Sequence, residues 1–123
     1  MIGNNKILIT GAHGFVGSAV TRKLKEQGVP DEHVIAPTLS ECDLRVFSDC
    51  EKFVQRADTV IHLAAVTGGI DFHRSEPARI LYENSIMNIN LVEAVRRAGV
   101  KKIVGVGSAA VYPDDAPLPY QEE

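Results

Sequence analysis

Three glycines at the end of a short apolar run constrain this chain more than any other feature. Residues 6–10 read Lys-Ile-Leu-Ile-Thr, which is typical of a buried strand, and the spacing Gly11-x-x-Gly14-x-x-Gly17 follows directly. An amphipathic helical pattern comes next, so the glycines lie at a strand-to-helix junction. At such a junction Gly11 permits a tight turn, Gly14 lets backbone approach a pyrophosphate, and Gly17 lets the helix pack on the sheet. The alternative is that the glycines serve only the turn and its packing.

The rest of the chain alternates between strand-like and helical periodicity. One helical pattern begins at Phe15 and ends at Gly28, a weaker one covers residues 47–57, and a long one covers residues 79–98. This alternation is typical of an α/β protein. We expect a three-layer Rossmann fold whose parallel sheet has about four strands in the order 3-2-1-4. The predicted strands are residues 6–10, 33–36, 59–64 and 102–107.

Charge and chain composition exclude several classes of function. The 123 residues carry 13 Lys and Arg against 16 Asp and Glu, a net charge of -3, which disfavours a nucleic-acid surface. No apolar stretch approaches the ~20 residues that span a bilayer, and the N-terminus has no secretory pattern. We therefore expect a cytoplasmic protein without nucleic-acid or membrane partners. Residues 1–107 are predicted to form one partial domain, and residues 108–123 a separate loop and irregular acidic tail.

The histidines and cysteines have no spacing that predicts a metal centre or a disulfide framework. His62 lies within an apolar run, and we expect a core residue whose ring nitrogens are hydrogen-bonded. Cys42 and Cys50 are interpreted as ordinary small apolar residues. No metal ligand is predicted.

Four segments resemble the extended short-chain dehydrogenase/reductase family, the NAD-dependent epimerase/dehydratases. They are Thr10-Gly-Ala-His-Gly-Phe-Val-Gly17, Asp43-Leu44, His62-Leu-Ala-Ala65 and Gly107-Ser-Ala-Ala-Val-Tyr-Pro113. Within the family, Gly68-Gly-Ile70 and Tyr82-Glu-Asn84 are most similar to the branch of GDP-L-fucose synthases. The resemblance implies an NAD(P)-dependent enzyme that exchanges hydride at a carbon of a nucleotide sugar. The alternative is a non-catalytic dinucleotide-binding or interaction module.

The resemblance also implies roles for single residues. The glycine turn would hold the cofactor pyrophosphate, Asp43 and Leu44 would meet adenine, and Asn84 would support the cofactor from the long helix. Ser108 would be the catalytic hydroxyl; its alternative is a turn hydroxyl at a strand end. For Asp43 the alternative is a helix-capping acid. The full implied cofactor set is Gly11, His13, Gly14, Phe15, Val16, Gly17, Asp43, Leu44, Leu63, Ala64, Ala65 and Asn84.

The chain departs from the family pattern in three places. It contains no Tyr-x-x-x-Lys, so we expect the isolated chain to have no measurable turnover. Ala110 stands where the fucose synthases have a cysteine acid/base, which disfavours 3,5-epimerisation. Residues 36–40 hold neither an acid nor an arginine, and His13 alone could meet a 2′-phosphate, so the sequence leaves NAD and NADP open.

Self-association is expected from two features. Tyr82, Ile86 and Ile89 form an apolar face of the long helix, separate from a stripe containing Leu81, Val92 and Val95 that we expect to face the sheet. The strand at residues 102–107 is also expected to have an open edge. We expect a homodimer through either the helix at residues 79–98 or that strand edge.

Overall fold

The computed structural model describes residues 5–108 and 111–120 and contains a four-stranded parallel sheet with helices on both faces. The strands are β1 (Ile7–Thr10), β2 (Val34–Ile35), β3 (Thr59–His62) and β4 (Lys102–Gly105). The helices are α1 (Phe15–Glu26), α2 (Phe47–Val54), α3 (Ile70–Ser75) and α4 (Pro77–Ala98), and a 3-10 turn at Asp31–His33 precedes β2. The predicted α/β class is confirmed. Helix α3 was not predicted from the sequence, because six residues are too few to establish a helical period.

The strand order is β2-β1-β3-β4, and every pairing is parallel. It differs from the expected 3-2-1-4 in the position of the third strand, which that order puts outside β2. Residues 36–58 instead cross one face of the sheet through α2 and return on the free side of β1. As a result Thr10 is the register partner of His62, and the chain reverses direction across the sheet one strand earlier than expected.

The sheet separates two apolar layers, and successive residues of β1 point into opposite ones. Ile7 and Ile9 pack with Val20 and Leu24 of α1, whereas Leu8 packs on the other face with α2 and α4. The larger layer joins the buried stripe of α4 to the apolar residues of α2 and of the loop before it. Its members are Leu8, Ile35, Cys42, Leu44, Cys50, Phe53, Val54, Val60, Met87, Leu91, Ala94 and Val95.

Helix α4 buries one stripe, formed by Glu83, Met87, Leu91, Ala94 and Val95. It ends at Gly99, whose φ of +67° is the left-handed conformation that favours glycine at a helix end.

The expected assignment of the α4 faces is partly wrong. Leu81 and Val92 do not face the sheet but are 71% and 57% exposed, because both lie more than about 100° around the helix from the centre of the buried stripe. Ile86 is half-buried. We call the exposed apolar set Leu81, Tyr82, Ile89 and Val92 the outer face of α4.

Strand β4 is exposed at all four residues, and its outer edge pairs with no strand among residues 5–108 and 111–120. Beyond it, the rings of Tyr112 and Tyr120 stack with their centroids 4.4 Å apart. In the part of the chain that the structure describes, no helix combines the length and apolar character needed to cross a bilayer.

Candidate functional site

A cleft of about 280 Å³ lies at the carboxyl end of β1, between the glycine turn and the loop that follows β2. Ligand pockets usually enclose ~300–1,000 Å³, so the cleft is large enough for one end of an elongated ligand. Its lining is mainly apolar, and His13 is the one basic side chain among the described residues that line it. The lining residues are Thr10, Gly11, His13, Gly14, Pro37, Thr38, Leu39, Cys42, Leu44, Ala64 and Met87.

Two of the three glycines are required by the fold. Gly11 has a φ of +70°, and a Cβ built on it would lie 2.7 Å from the Ala64 nitrogen, so only glycine lets the turn approach the end of β3. A Cβ on Gly17 would overlap the Gly11 carbonyl oxygen and lie 2.6 Å from Cα of Ala12. Gly17 therefore packs α1 against the turn itself rather than against a strand.

Gly14 differs from the other two. Its φ of -78° and ψ of 179° are extended backbone that any residue adopts, and a Cβ there would meet only the Gly11 carbonyl oxygen, at 3.3 Å. Gly14 also lines the cleft. Apart from that carbonyl oxygen and the adjoining residues, no described protein atom lies within 4 Å of this Cβ position, so the space above Gly14 is open.

The start of α1 presents free hydrogen-bond donors beside Gly14. Within the described residues, the backbone N–H groups of Phe15, Val16 and Gly17 have no acceptor, and Gly14 supplies no side-chain cap. Such donors, together with the positive end of the helix dipole, attract anions. The side chains of Phe15 and Val16 point away and are exposed, so only their backbone is placed for binding.

His13 ties the glycine turn to the end of β2. Its Nε2 donates to the Ala36 carbonyl oxygen over 3.0 Å, while the ring also lines the cleft. This hydrogen bond holds the two walls of the cleft at a fixed separation.

A series of hydrogen-bonded side chains runs from β1 through β3 to α4. The Thr10 hydroxyl donates to Nδ1 of His62, and Nε2 of His62 donates to Oδ1 of Asn88 over 2.7 Å. Burial lowers the pKa of His62, which favours this neutral ring. The Thr10 oxygen also accepts, at 3.3 and 3.4 Å, from the nitrogens of Leu63 and Ala64. The expectation that both ring nitrogens of His62 are hydrogen-bonded is confirmed, but His62 is half-buried and does not belong to the core.

Some of the residues after β3 line the cleft, and others support the loop from behind. Ala64 lines the cleft, Leu63 packs into the α1 layer, and Ala65 is exposed. Asn84 lies behind them: its Nδ2 donates to the carbonyl oxygens of Val66 and Ile80, and its Oδ1 accepts from the Val66 nitrogen over 2.8 Å. Asn84 therefore holds the loop after β3 and does not line the cleft.

Leu44 and Asp43 occupy different positions. Leu44 is buried in the cleft wall, where Asn90 holds its carbonyl oxygen. Asp43 lies between the wall residues Cys42 and Leu44 but does not line the cleft, and its carboxylate binds Arg45 at 2.7 Å. Its helix-capping alternative is wrong, because the residue that precedes α2 is Val46 and has no side-chain cap.

Arg45 was not predicted from the sequence to belong to this region; it also contacts Glu83 of α4 at 2.8 Å. Residues 36–40 were considered in the sequence only as the place for an acid or arginine that would meet the cofactor ribose, because they follow a parallel strand. Pro37, Thr38 and Leu39 were not predicted to be wall residues of the cleft, and the structure places them there.

The two thiols are unreactive by environment. Burial, with Asp49 and Asp43 nearby, raises the pKa of Cys42 to about 11. Burial also raises the pKa of Cys50 to about 12, with Cys42 and Asp49 adding to it. The interpretation of both as small apolar residues is confirmed, although Cys42 also lines the cleft.

Ser108 follows β4 at the same edge of the sheet and is exposed, and its carbonyl oxygen accepts from the Val111 nitrogen. It does not line the cleft. Ala110 lies outside the described residues.

Within the described part of the chain, no three histidine, cysteine or acidic side chains are grouped so that they could hold a metal ion.

Residues 7–123 match the NAD dependent epimerase/dehydratase family. The chain is 36% identical over 123 residues to a GDP-mannose 3,5-epimerase of Arabidopsis thaliana, covering 90% of this chain and 33% of that protein. It is 35% identical over 125 residues to a GDP-L-fucose synthase of Sinorhizobium fredii, covering 100% of this chain and 39% of that protein.

Solved structures agree with the sequence matches. The GDP-mannoheptose C4 reductase of Campylobacter jejuni, solved with NADP bound, superimposes with a TM-score of 0.86 at 28% identity, covering 98% of this chain and 36% of that one. The chain thus spans well under half the length of these relatives. The glycine turn, the parallel sheet and the match over residues 7–123 lead to one assignment: the chain belongs to the NAD dependent epimerase/dehydratase family.

Proposed function

We propose that this chain binds NAD or NADP in the cleft between the glycine turn and the loop after β2. The observation that carries the proposal is the start of α1, where three N–H groups without acceptors among the described residues adjoin the space above Gly14. These donors suit a pyrophosphate. The apolar wall beside them, which includes Leu39, Leu44 and Met87, suits a purine base.

Different residues of the cleft would contact different parts of the cofactor. The backbone of Phe15, Val16 and Gly17 would hold the pyrophosphate, Leu44 would contact the adenine, and Ala64 would contact the part that extends past β3. The set proposed from the sequence is kept, with Asn84 as a support for the loop after β3. His13 is the one basic side chain in the lining, so the cleft offers little to distinguish NAD from NADP.

We also propose that residues 1–107 form the cofactor-binding part of an enzyme that acts on a nucleotide sugar. Several relatives are named for reactions of GDP-sugars, which favours that substrate class. When bound, the nicotinamide supplies hydride exchange at a sugar carbon. Ser108, in the segment 108–123, would orient the sugar oxygen by a hydrogen bond.

The proposed assembly is a homodimer. The outer face of α4 presents Leu81, Tyr82, Ile89 and Val92 together, and a surface helix of a monomer needs only one buried stripe. The open edge of β4 is the alternative contact.

Calorimetric titration with NAD, NADP and ADP tests the cofactor site. We expect the wild-type chain to bind both dinucleotides at micromolar concentration. Gly14→Ala should weaken binding at least about tenfold, or about 1.4 kcal/mol, because its Cβ would enter the space left for the phosphates. Its free energy of unfolding should change by less than about 1 kcal/mol. Failure of the folded wild type to bind either dinucleotide below millimolar concentration would refute the proposal.

Gly69→Ala is the matched control. Gly69 precedes α3 as Gly14 precedes α1, its φ of -70° and ψ of 176° are nearly the same, and a Cβ there meets nothing within 4 Å. Gly69→Ala should leave the dinucleotide affinity unchanged. An equal loss in both variants would assign the effect to the helix start in general rather than to the site.

A further inference from the structure

We infer that Arg45 is a positioning residue that fixes the Asp43 carboxylate to recognise the amino group of the adenine base, and that Glu83 holds Arg45 in place for this. The inference rests on the proposed function, in which Asp43 meets the adenine as the family resemblance implies, and adds to it the residues that hold the carboxylate in position. It is carried by a line of alternating charges, Asp43, Arg45, Glu83 and Arg79, that runs from the cleft rim to α4.

Arg45 holds the carboxylate of Asp43 in a defined orientation through several hydrogen bonds. Oδ1 of Asp43 accepts from the Arg45 backbone nitrogen at 3.0 Å and from Nε at 2.9 Å. Oδ2 accepts from Nη2 at 2.7 Å and has a longer contact, 3.2 Å, with the same Nε. A carboxylate offers about four lone-pair sites. Because Nε lies closer to Oδ1, Oδ2 keeps one site for a further donor, and no other described donor takes it.

Glu83 holds the Arg45 guanidinium from the side opposite Asp43. Its Oε2 accepts from Nη1 of Arg45 at 2.8 Å, and its Oε1 accepts from Nε of Arg79 at 2.6 Å. The Glu83 side chain is only 12% exposed and belongs to the buried stripe of α4. A charge buried among apolar residues is costly unless it is paired, so Glu83 stays where it is only together with the two arginines.

The position of Asp43 suits the reading of a base. Its neighbours Cys42 and Leu44 both line the cleft, so Asp43 lies beside the proposed adenine wall, although it does not itself line the cleft. Adenine presents an amino group at carbon 6, whereas hypoxanthine and guanine present a carbonyl oxygen there. The Arg45 guanidinium holds the pKa of Asp43 below its ordinary value, so the carboxylate stays ionised, accepts from an amino group and repels a carbonyl oxygen.

A purely structural ion pair, which only joins the loop to α4, predicts a different result. Loosening it would weaken the binding of every nucleotide to the same extent, because the whole wall would move. A positioning role predicts that only the form with the amino group loses affinity. The two roles are therefore separated by a ratio of affinities rather than by an affinity.

The experiment compares NAD and NADP, each with its hypoxanthine counterpart, by calorimetry. The wild type should prefer the adenine forms about tenfold or more, which is the strength of one hydrogen bond to a charged group. Arg45→Lys keeps the charge but cannot form the two-point fork. We expect it to reduce the preference below about threefold by weakening the adenine forms, while the affinity for the hypoxanthine forms changes by less than about twofold.

Arg96→Lys is the control. Arg96 makes a similar two-point contact with Glu93, at 2.7 and 2.9 Å, near the end of α4 away from the cleft. This variant should keep the wild-type preference. If Arg45→Lys does not fold, Glu83→Gln decides by the same ratio, since it removes the charge that holds Arg45 and should lower the preference in the same direction.

The outcomes that contradict the inference differ from those that contradict the cofactor site. The role of Arg45 is overturned if the wild type binds the adenine and hypoxanthine forms equally. It is also overturned if Arg45→Lys weakens the binding of both forms equally or keeps the wild-type preference. Neither result contradicts the cofactor site. A folded wild type that binds no dinucleotide overturns the proposed function, and this inference with it.

Discussion

The hydroxyl oxygen of Thr10 lies 2.6 Å from Nδ1 of His62, its register partner on the neighbouring strand. The opposite ring nitrogen, Nε2, is bonded to the side-chain oxygen of Asn88, which can only accept a hydrogen bond. Nδ1 must therefore act as the acceptor, and the arrangement requires a neutral ring. A second proton on His62 would set a donor against the Thr10 hydroxyl and leave that hydroxyl without its acceptor.

The first prediction concerns stability at acid pH. Because burial lowers the pKa of His62 from its ordinary value of 6.5, the unfolded chain binds the proton more readily than the folded one. The contribution of His62 is fully present above pH 6.5 and is lost as the pH falls toward the lowered pKa. His62→Gln cannot titrate, so its melting temperature should fall less than that of the wild type between pH 7.5 and pH 5.

His73→Gln is the control for this measurement, since His73 is exposed, and its ring is hydrogen-bonded to the Thr67 hydroxyl and packs edge-on against Phe72. It should keep the wild-type dependence on pH. Parallel melting curves for the wild type and His62→Gln would contradict the prediction.

The second prediction separates the glycines by their effect on folding. Gly17→Ala should destabilise the chain by about 1–3 kcal/mol or more, because its Cβ would collide with backbone that has no room to move. Gly14→Ala should change the free energy of unfolding by less than about 1 kcal/mol, because its one close contact needs a shift of only a few tenths of an ångström. Urea denaturation of the two variants measures both values. Equal losses would show that the Gly14 position is also required by the fold.

The third prediction concerns the thiols. With pKa values of about 11 and 12, Cys42 and Cys50 should react slowly with iodoacetamide at pH 7.5, and the rate should continue to rise about tenfold per unit up to pH 10. NAD or NADP should slow the labelling of Cys42 further, because Cys42 lines the cleft.

Cys50, which is fully buried and does not line the cleft, is the internal control for protection. Digestion followed by mass spectrometry distinguishes the two sites. Protection of both cysteines to the same extent would indicate a general tightening of the fold rather than contact between ligand and cleft.

The fourth prediction concerns self-association. Light scattering at tens of micromolar should give the mass of a dimer, and Ile89→Glu should dissociate it by placing a charge on the outer face of α4. Val106→Glu, at an exposed position just after β4, tests the strand edge in the same way. Dissociation by Val106→Glu alone would move the contact to that edge, and a monomeric mass for the wild type would refute the dimer.

The local elements were predictable because the residues that determine them are close together in the chain. The spacing of Gly11, Gly14 and Gly17 and the apolar stripe that follows them indicated the turn and α1 before any tertiary contact was known. The alternation of periods likewise indicated the parallel sheet. The candidate cleft follows from both, since it lies where the first strand meets the turn.

The remaining features depend on contacts between distant parts of the chain. Arg45 and Glu83 are 38 residues apart, and neither carries a local sign that they will pair. The exposure of Leu81 and Val92 depends on which stripe of α4 packs against α2. The position of β3 beside β1 depends on which way the chain crosses the sheet, which residues 36–58 do not encode in their periodicity.

The strand order has a consequence for how such a domain can change over time. Since β2 lies on one side of β1 and β3 on the other, the connections that leave these neighbouring strands diverge and open a crevice above β1. The crevice is a property of the connectivity and not of any side chain that lines it. Substitutions along its walls can alter what is bound and how tightly, whereas the place of binding stays the same for as long as the order of the strands does.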